Sequence, residues 1–406
     1  MKKKMFIWNM FGSLCNAFSS MLLLIVVNRA TTPYNGGIFS LGFATAQMMT
    51  TLGTLEVRNY QATDVKEEFS FNDYYSFRIS TCAFMLFCSI CYVFANGYTA
   101  EKMIITILLC LYKMVEAFSD VFEGLYQQKN RIDLSGKAAV YRIVIATSIF
   151  VVVIVLTKNL VLSTLIMFIS ALTVAAVYNK YTTEKNWFKF KMTFEPSKWK
   201  GLGIQCIPLA IGAFLALYVG NAPKYAVDAY LGPETQNVFS IIFMPAFVIN
   251  LFSLFVFRPM LTSMAISWNE KKIYSFLKIL GKALVWALVV LALGLGAAYL
   301  LGIPILSVIY GIDLTPYKLH LMLIMLGGGA NAIVTILRFT LTVVRKQLMS
   351  MWGYVIAFVV TIIFCPMLVK KYSLMGACYS YIVSMTIMGL VFLIILATTI
   401  MRVRKD

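Results

Sequence analysis

The sequence predicts an all-α polytopic membrane protein of about 12 transmembrane helices in two parallel six-helix lobes. Three observations carry this. Charged residues make up 13% of the 406 and hydrophobic ones 60%, whereas a soluble domain carries about 25% charged residues. The apolar runs are long enough to cross a bilayer as helices, and none has the alternation of a barrel strand. Lysine and arginine crowd alternate loops, as they do where one side of a membrane is favoured for positive charge.

The first span, 6–27, follows Lys2, Lys3 and Lys4. It is too long for a signal peptide, is interrupted by Asn9 and Asn16, and ends without a small-residue cleavage site, so it is expected to be retained. Spans two to six follow at 38–57, 77–95, 103–125, 139–157 and 160–178. They complete an N-terminal lobe, residues 1–179, which a polar, aromatic linker at 180–200 joins to a C-terminal lobe, 201–406. That lobe holds spans at 202–226, 237–257, 281–301, 319–344, 350–369 and 374–401, with Pro223 expected to bend or end the first.

Basic residues set the orientation. One side takes the N-terminal lysines, Arg58, Lys66, Arg78, Lys129, Arg131, Lys137, Arg142, six lysines of the linker, Arg258, the lysines at 271–282, Arg345, Lys346, Arg402, Arg404 and Lys405. The other takes only Arg29, Lys102, Lys158, Lys224, Lys318, Lys370 and Lys371. By the positive-inside rule both termini are cytoplasmic. The formal charge of +18 therefore reflects topology and does not call for nucleic acid. Outward loops are short, the longest being 302–318, so any chemistry belongs at membrane depth. The eight cysteines lie in apolar runs, where packing is their expected role, Cys88 and Cys91 included. His320 is the single histidine, leaving little for histidine catalysis or metal ligation, and no cofactor is expected.

An internal repeat supports two lobes. Offset by 200 positions, Pro33 meets Pro233, Phe39-Ser40 meets Phe239-Ser240, and Phe43, Ala46 and Arg58 meet Phe243, Ala246 and Arg258. Repeats six spans apart share an orientation, so the lobes are parallel, with a cavity expected on the axis between them.

Polar stripes mark the lining. In span four Lys113, Glu116, Asp120 and Glu123 fall within roughly an 80° arc of one helix face. Span one carries Asn9, Ser13, Asn16 and Ser20; span two Gln47, Thr51, Thr54 and Arg58; span ten Asn331, Thr335, Arg338 and Thr342; span seven Asn221, Lys224 and Asp228. Ionisable groups at this depth avoid lipid, because exposure there costs a few kcal/mol each. They line a wet vestibule, or they pair within the protein, as Lys113 can with Glu116 at i, i+3 and Arg338 with the acids of span four. Cations at Arg29, Lys113, Lys224 and Arg338 suit an anionic cargo such as a phosphate or pyrophosphate. Glu116, Asp120 and Asp228 are the ion-coupling candidates, Asp120 foremost, since a buried carboxylate is apt to carry a proton.

The chain resembles the Wzx-type oligosaccharide flippases, the polysaccharide-export branch of the MOP superfamily that also holds the MATE antiporters. The resemblance rests on Asn28-Arg29 with Gly37-Ile38-Phe39-Ser40, on Glu116-Ala-Phe-Ser-Asp120-Val-Phe-Glu-Gly124-Leu-Tyr-Gln127, on Asn221-Ala-Pro-Lys224-Tyr225 with Leu231-Gly232, and on Arg258-Pro259, Gly302-Ile-Pro-Ile-Leu306, Tyr310-Gly311 and Tyr372-Ser-Leu-Met-Gly376-Ala377. It departs from the family at Thr31-Thr32 and Asn237. It implies a V-shaped transporter that moves polyprenyl-pyrophosphate-linked oligosaccharide repeat units across the cytoplasmic membrane by alternating access, driven by a proton or sodium gradient. Capsule or O-antigen biosynthesis is the implied setting, with a polysaccharide polymerase and export machinery as partners beside the lipid-linked glycan and membrane lipid. Arg29, Lys113, Lys224 and Arg338 would hold the pyrophosphate, with Asn16 and Asn331 in the same cavity. The alternative is a MATE-like cation-coupled efflux antiporter of small organic cations, which would favour an acidic, aromatic pocket. A membrane glycan polymerase or ligase would need a long outward loop, which the predicted topology lacks.

Overall fold

A computed structural model describes residues 2–62, 64, 68–193 and 195–403, with side chains from residue 7 onward except that of residue 347. Lys66, Arg404 and Lys405, counted above toward the orientation, lie outside the described residues. The described residues form helices and connecting turns, with no strand among them. In chain order these are α1 (Lys2–Ala30), α2 (Pro33–Thr54), α3 (Val57–Gln61), α4 (Phe71–Ala95), α5 (Ala100–Gln128), α6 (Ile132–Thr157), α7 (Leu160–Asn186), α8 (Pro196–Leu231), α9 (Pro233–Phe257), α10 (Met260–Asn269), α11 (Ile273–Ala297), α12 (Ile303–Tyr310), α13 (Lys318–Val343) and α14 (Gln347–Val403).

Nine helices among the described residues are long and apolar enough to cross a membrane. The count reaches twelve by way of α2 and α5, whose 22 and 29 residues suffice in length but carry the polar and charged stripes, and by way of α14, which is two helices. The break in α14 is at Ser373, with φ 53° and ψ −138°. The molecule is a multi-pass, all-α membrane protein.

Several boundaries differ from those expected, each for a local reason. Ser70 and Asp73 form a reciprocal cap, each side chain accepting from the other's backbone N–H, so α4 starts at Phe71 and Arg78 lies inside the helix. Likewise α6 starts at Ile132, which takes Arg142 out of the loop. Pro223 does not end its span, for α8 continues to Leu231. The loop at 302–318 is largely helical: a π-turn at Ala298–Gly302 leads into α12, and a 3₁₀ turn at Thr315–Tyr317 leads into α13. Of the described residues of the linker at 180–200, only 187–193 and 195 are non-helical.

The chain divides into two compact units, Met1–Phe214 and Leu215–Asp406, the division falling inside α8. In the first unit α5 is central, packed on α2, α4, α6 and α7, while α1 lies along α6. Within lipid, association depends on close packing rather than on escape from water, so small residues sit where helices cross. A Cβ on Gly136 of α6 would collide with the backbone of Trp8 and Asn9 in α1, and a Cβ on Gly12 would stand 3.0 Å from the Gly136 carbonyl oxygen. In the second unit α13 takes the central place, against α9, α11 and α14. There a Cβ on Gly328 would come within 3.0 Å of the Cα of Ala246 in α9. The pairing of α9, α11 and α13 repeats that of α2, α4 and α5. Pro33 and Pro233 each open the second long helix of their series, where a proline's missing N–H costs nothing. A short helix, α3 or α10, follows each.

Candidate functional site: a charged cleft in the first unit

The charged face of α5 meets partners from four other helices. Glu116 accepts a hydrogen bond from Lys113 Nζ at 2.8 Å and one from Asn16 Nδ2 of α1 at 3.3 Å. Lys113 is 2% exposed, and its ammonium stands 5.0 Å from the centroid of the Phe43 ring. Asp120 receives Arg78 Nη2 of α4 at 2.9 Å and Arg58 Nη1 of α3 at 3.4 Å. Glu123 receives the same Arg58 nitrogen at 2.7 Å and the Ser135 hydroxyl of α6 at 3.3 Å. Arg142, 4% exposed, donates to the Val115 carbonyl at 3.4 Å. Three carboxylates thus face four cations.

A sharp break in the chain puts Arg58 there. After Thr54 both Leu55 and Glu56 adopt left-handed backbone angles, φ 43° and 55°, each costing an L-residue about 1–2 kcal/mol. The turn frees carbonyls at the end of α2. The Gly53 carbonyl accepts from the Arg78 guanidinium and from the Thr81 hydroxyl, the latter at 2.6 Å. Gln61 Nε2 then donates to the Val121 carbonyl at 3.1 Å, fastening α3 to α5. Burial opposes the charge on Arg58, but Glu123 and Asp120 outweigh it and raise its pKa above the ordinary guanidinium value.

Around these groups lies a polar cavity of ≈ 270 Å³, lined by Asn9, Ser13 and Asn16 of α1, by Thr54 and Arg58, by Glu116, Asp120 and Glu123, and by Ser135 and Arg142. A water occupies about 30 Å³ of liquid, so the space holds about nine waters or one hydrated ion. That is short of the volume a drug-sized ligand fills, about 300–1,000 Å³.

The other expected site residues are placed elsewhere. Arg29 is exposed in the last turn of α1. It stands thirteen residues beyond Asn16, or about 20 Å along the axis at 1.5 Å per residue. Lys224, Asp228, Asn331 and Arg338 belong to the second unit. Lys224 Nζ lies 4.8 Å from the Phe243 ring centroid. Asp228 is one turn further along α8 and buried. Arg338 is exposed, 4.9 Å from the Phe339 ring. Among the described residues of the second unit neither Lys224 nor Arg338 forms an ion pair with a carboxylate, while in the first unit Arg58 and Arg78 hold Asp120 and Glu123. The hydroxyls of the stripes bond within their own helices, Ser13 to the Asn9 carbonyl at 2.9 Å and Thr335 to that of Asn331 at 2.9 Å. No group of three or more His, Cys, Asp or Glu suited to a metal occurs among the described residues.

Sequence reading left Arg78 and Arg142 in loops and counted Arg58 and Glu123 in the lining stripes but not among the cargo or coupling residues. The Ser70-x-x-Asp73 cap was the available signal for Arg78, since it starts α4 early enough to bury that side chain.

Comparison with known proteins places the architecture. No protein-family model matches the chain. The capsular polysaccharide biosynthesis protein CapF of Staphylococcus aureus is 23% identical over 387 residues, 94% of each chain. An inward-facing multidrug resistance MATE transporter of the MOP superfamily superposes with a TM-score of 0.75 at 11% identity, covering 97% of this chain and 96% of its own. The chain has the fold of the MATE transporters. A Pyrococcus furiosus MOP transporter, described as having a binding pocket of reversed polarity, superposes at 0.62 with 11% identity, covering 99% and 96%. The likeness in fold agrees with the all-α, two-lobed architecture read from the sequence.

Proposed function

We propose that the protein is a flippase that moves polyprenyl-pyrophosphate-linked oligosaccharide repeat units across the cytoplasmic membrane for surface polysaccharide biosynthesis. The observation that carries the proposal is an end-to-end match to a protein named for capsular polysaccharide biosynthesis, borne on a transporter fold. Both termini face the cytoplasm in this reading, with transport by alternating access driven by a proton or sodium gradient.

The two units divide the work. In the first, Glu116, Asp120 and Glu123 are held by Lys113, Arg58 and Arg78 around a small polar cavity, which suits exchange of a small cation and leaves those basic side chains engaged. In the second, Lys224 and Arg338 have aromatic rings beside them and no paired carboxylate, which suits capture of an anionic headgroup. Lys113 therefore moves from the cargo set to the coupling set, while Arg29, Asn16 and Asn331 stay as cavity candidates. A drug-cation antiporter would need acids left open for its cargo, and these acids are engaged.

The test is reconstitution. Purified protein in liposomes should move a fluorescent polyprenyl-pyrophosphate oligosaccharide between leaflets when a proton or sodium gradient is applied. A deletion strain should accumulate the lipid-linked intermediate, detected by mass spectrometry. Absence of movement under every gradient, together with efflux of small organic cations, would establish the antiporter instead.

A further inference from the structure

The connection between α7 and α8 is fixed to the first unit and carries lysines that form no ion pair among the described residues. Its Phe190 ring sits among Phe71, Tyr75 and Phe122, at centroid distances of 5.8, 4.9 and 5.2 Å. The Lys191 N–H donates to Asn72 Oδ1 at 3.0 Å and the Thr193 N–H to Ser76 Oγ at 2.8 Å, both on α4. With the backbone held and Phe190 turned inward, its neighbours Lys189 and Lys191 are exposed. So are Lys180 and Lys185 at the end of α7. Lys198 is different, for it pairs with Asp73 at 3.1 Å and Glu195 at 2.9 Å. Among the described residues no carboxylate pairs with the other four. Beside them stand two apolar side chains, Phe188, 38% exposed, and Met192, 57% exposed.

The position of this strap defines its surroundings. It joins two helices that each cross the membrane, Leu160–Asn186 and Pro196–Leu231, so it lies where both leave the hydrocarbon, at the level of the headgroups. A rigid strap there, with these lysines and protruding apolar groups, combines the two elements of interfacial lipid recognition: cations for anionic headgroups and apolar side chains for the acyl boundary. A requirement for membrane topology alone would be met by loose lysines and would not need Phe190 and two backbone hydrogen bonds to hold them in place.

We infer that the α7–α8 strap is a binding surface for anionic phospholipid headgroups, with Lys185, Lys189 and Lys191 as its contacts. It is independent of the transport reading.

Full-length protein is purified in detergent with equal amounts of phosphatidylglycerol and phosphatidylcholine of matched chains, and the lipid retained is measured at rising salt. Preference for phosphatidylglycerol should fall about fivefold for each lysine removed, or about a hundredfold in the triple variant Lys185→Gln, Lys189→Gln, Lys191→Gln. A charge-matched control, Lys271→Gln, Lys278→Gln, Lys282→Gln, should keep the preference. All these side chains are exposed or half-buried, so thermal melting should stay within a degree or two of the parent and confirm folding. An equal loss in both triples would overturn the inference in favour of bulk charge. Absence of preference would overturn it outright, and so would displacement of the lipid by soluble polyglutamate, which would mark the strap as a site for an acidic protein.

Discussion

Lys113 and Glu116 lie one helical turn apart with 2% and 19% of their side chains exposed, 2.8 Å from each other. Breaking a buried pair strands the remaining charge, at about 3–5 kcal/mol, whereas replacing both partners by apolar groups is close to neutral. Lys113→Met alone should therefore lower the melting temperature in detergent sharply, and the double variant Lys113→Met, Glu116→Leu should recover most of the loss. If the pair serves coupling, the recovered double variant stays inactive in flipping. A double variant as unstable as the single would show that the pair's worth lies in partners beyond each other. Arg78 illustrates how far one side chain's role depends on its surroundings. It closes a carbonyl freed by the turn after α2 and holds Asp120, two tasks no spacing rule assigns to it.

Glycine and strained backbone govern the elements. Gly136→Val should drive α1 off α6, because the new side chain meets backbone that cannot rotate away. Overpacking at such a crossing costs about 1–3 kcal/mol or more, and since Gly136 also lines the cavity, both thermal stability and transport should fall. Unchanged stability would mean that the helices separate without penalty. At the break in α14 the effect runs the other way. Ser373 sits at φ 53°, ψ −138°, a conformation natural to glycine, and such strain costs about 1–3 kcal/mol. Ser373→Gly should raise the melting temperature and Ser373→Val should lower it. A destabilising Ser373→Gly would show that the serine hydroxyl contributes more than the strain removes.

For the whole molecule, the two units carry their charge differently. In the first, Arg58, Arg78 and Lys113 pair with acids of the same unit, and in the second Lys224 and Arg338 lie beside aromatic rings with no paired carboxylate among the described residues. On the proposed function, Lys224→Gln and Arg338→Gln should each reduce flipping at least tenfold while the protein accumulates and melts normally. Loss of the protein itself would make them structural. Arg29→Gln, at the far end of α1 from the charged cleft, should lose less.

What the sequence determined by itself was the class, the number of crossings and the charged face of α5. Lipid imposes these through composition, length and helical period, all of which are local. The corner after Thr54 could not be read, because Leu55 and Glu56 are not residues that announce a left-handed turn, and the turn is held by Arg78 from another helix. The i, i+3 spacing offered Lys113 to Glu116 as one of two readings, but it could not say that Asp120 would be held by two arginines. Pairing among buried charges depends on which helices cross and at what depth. The tertiary structure decided that, through close glycine contacts and shared ion pairs between residues 42 to 65 positions apart.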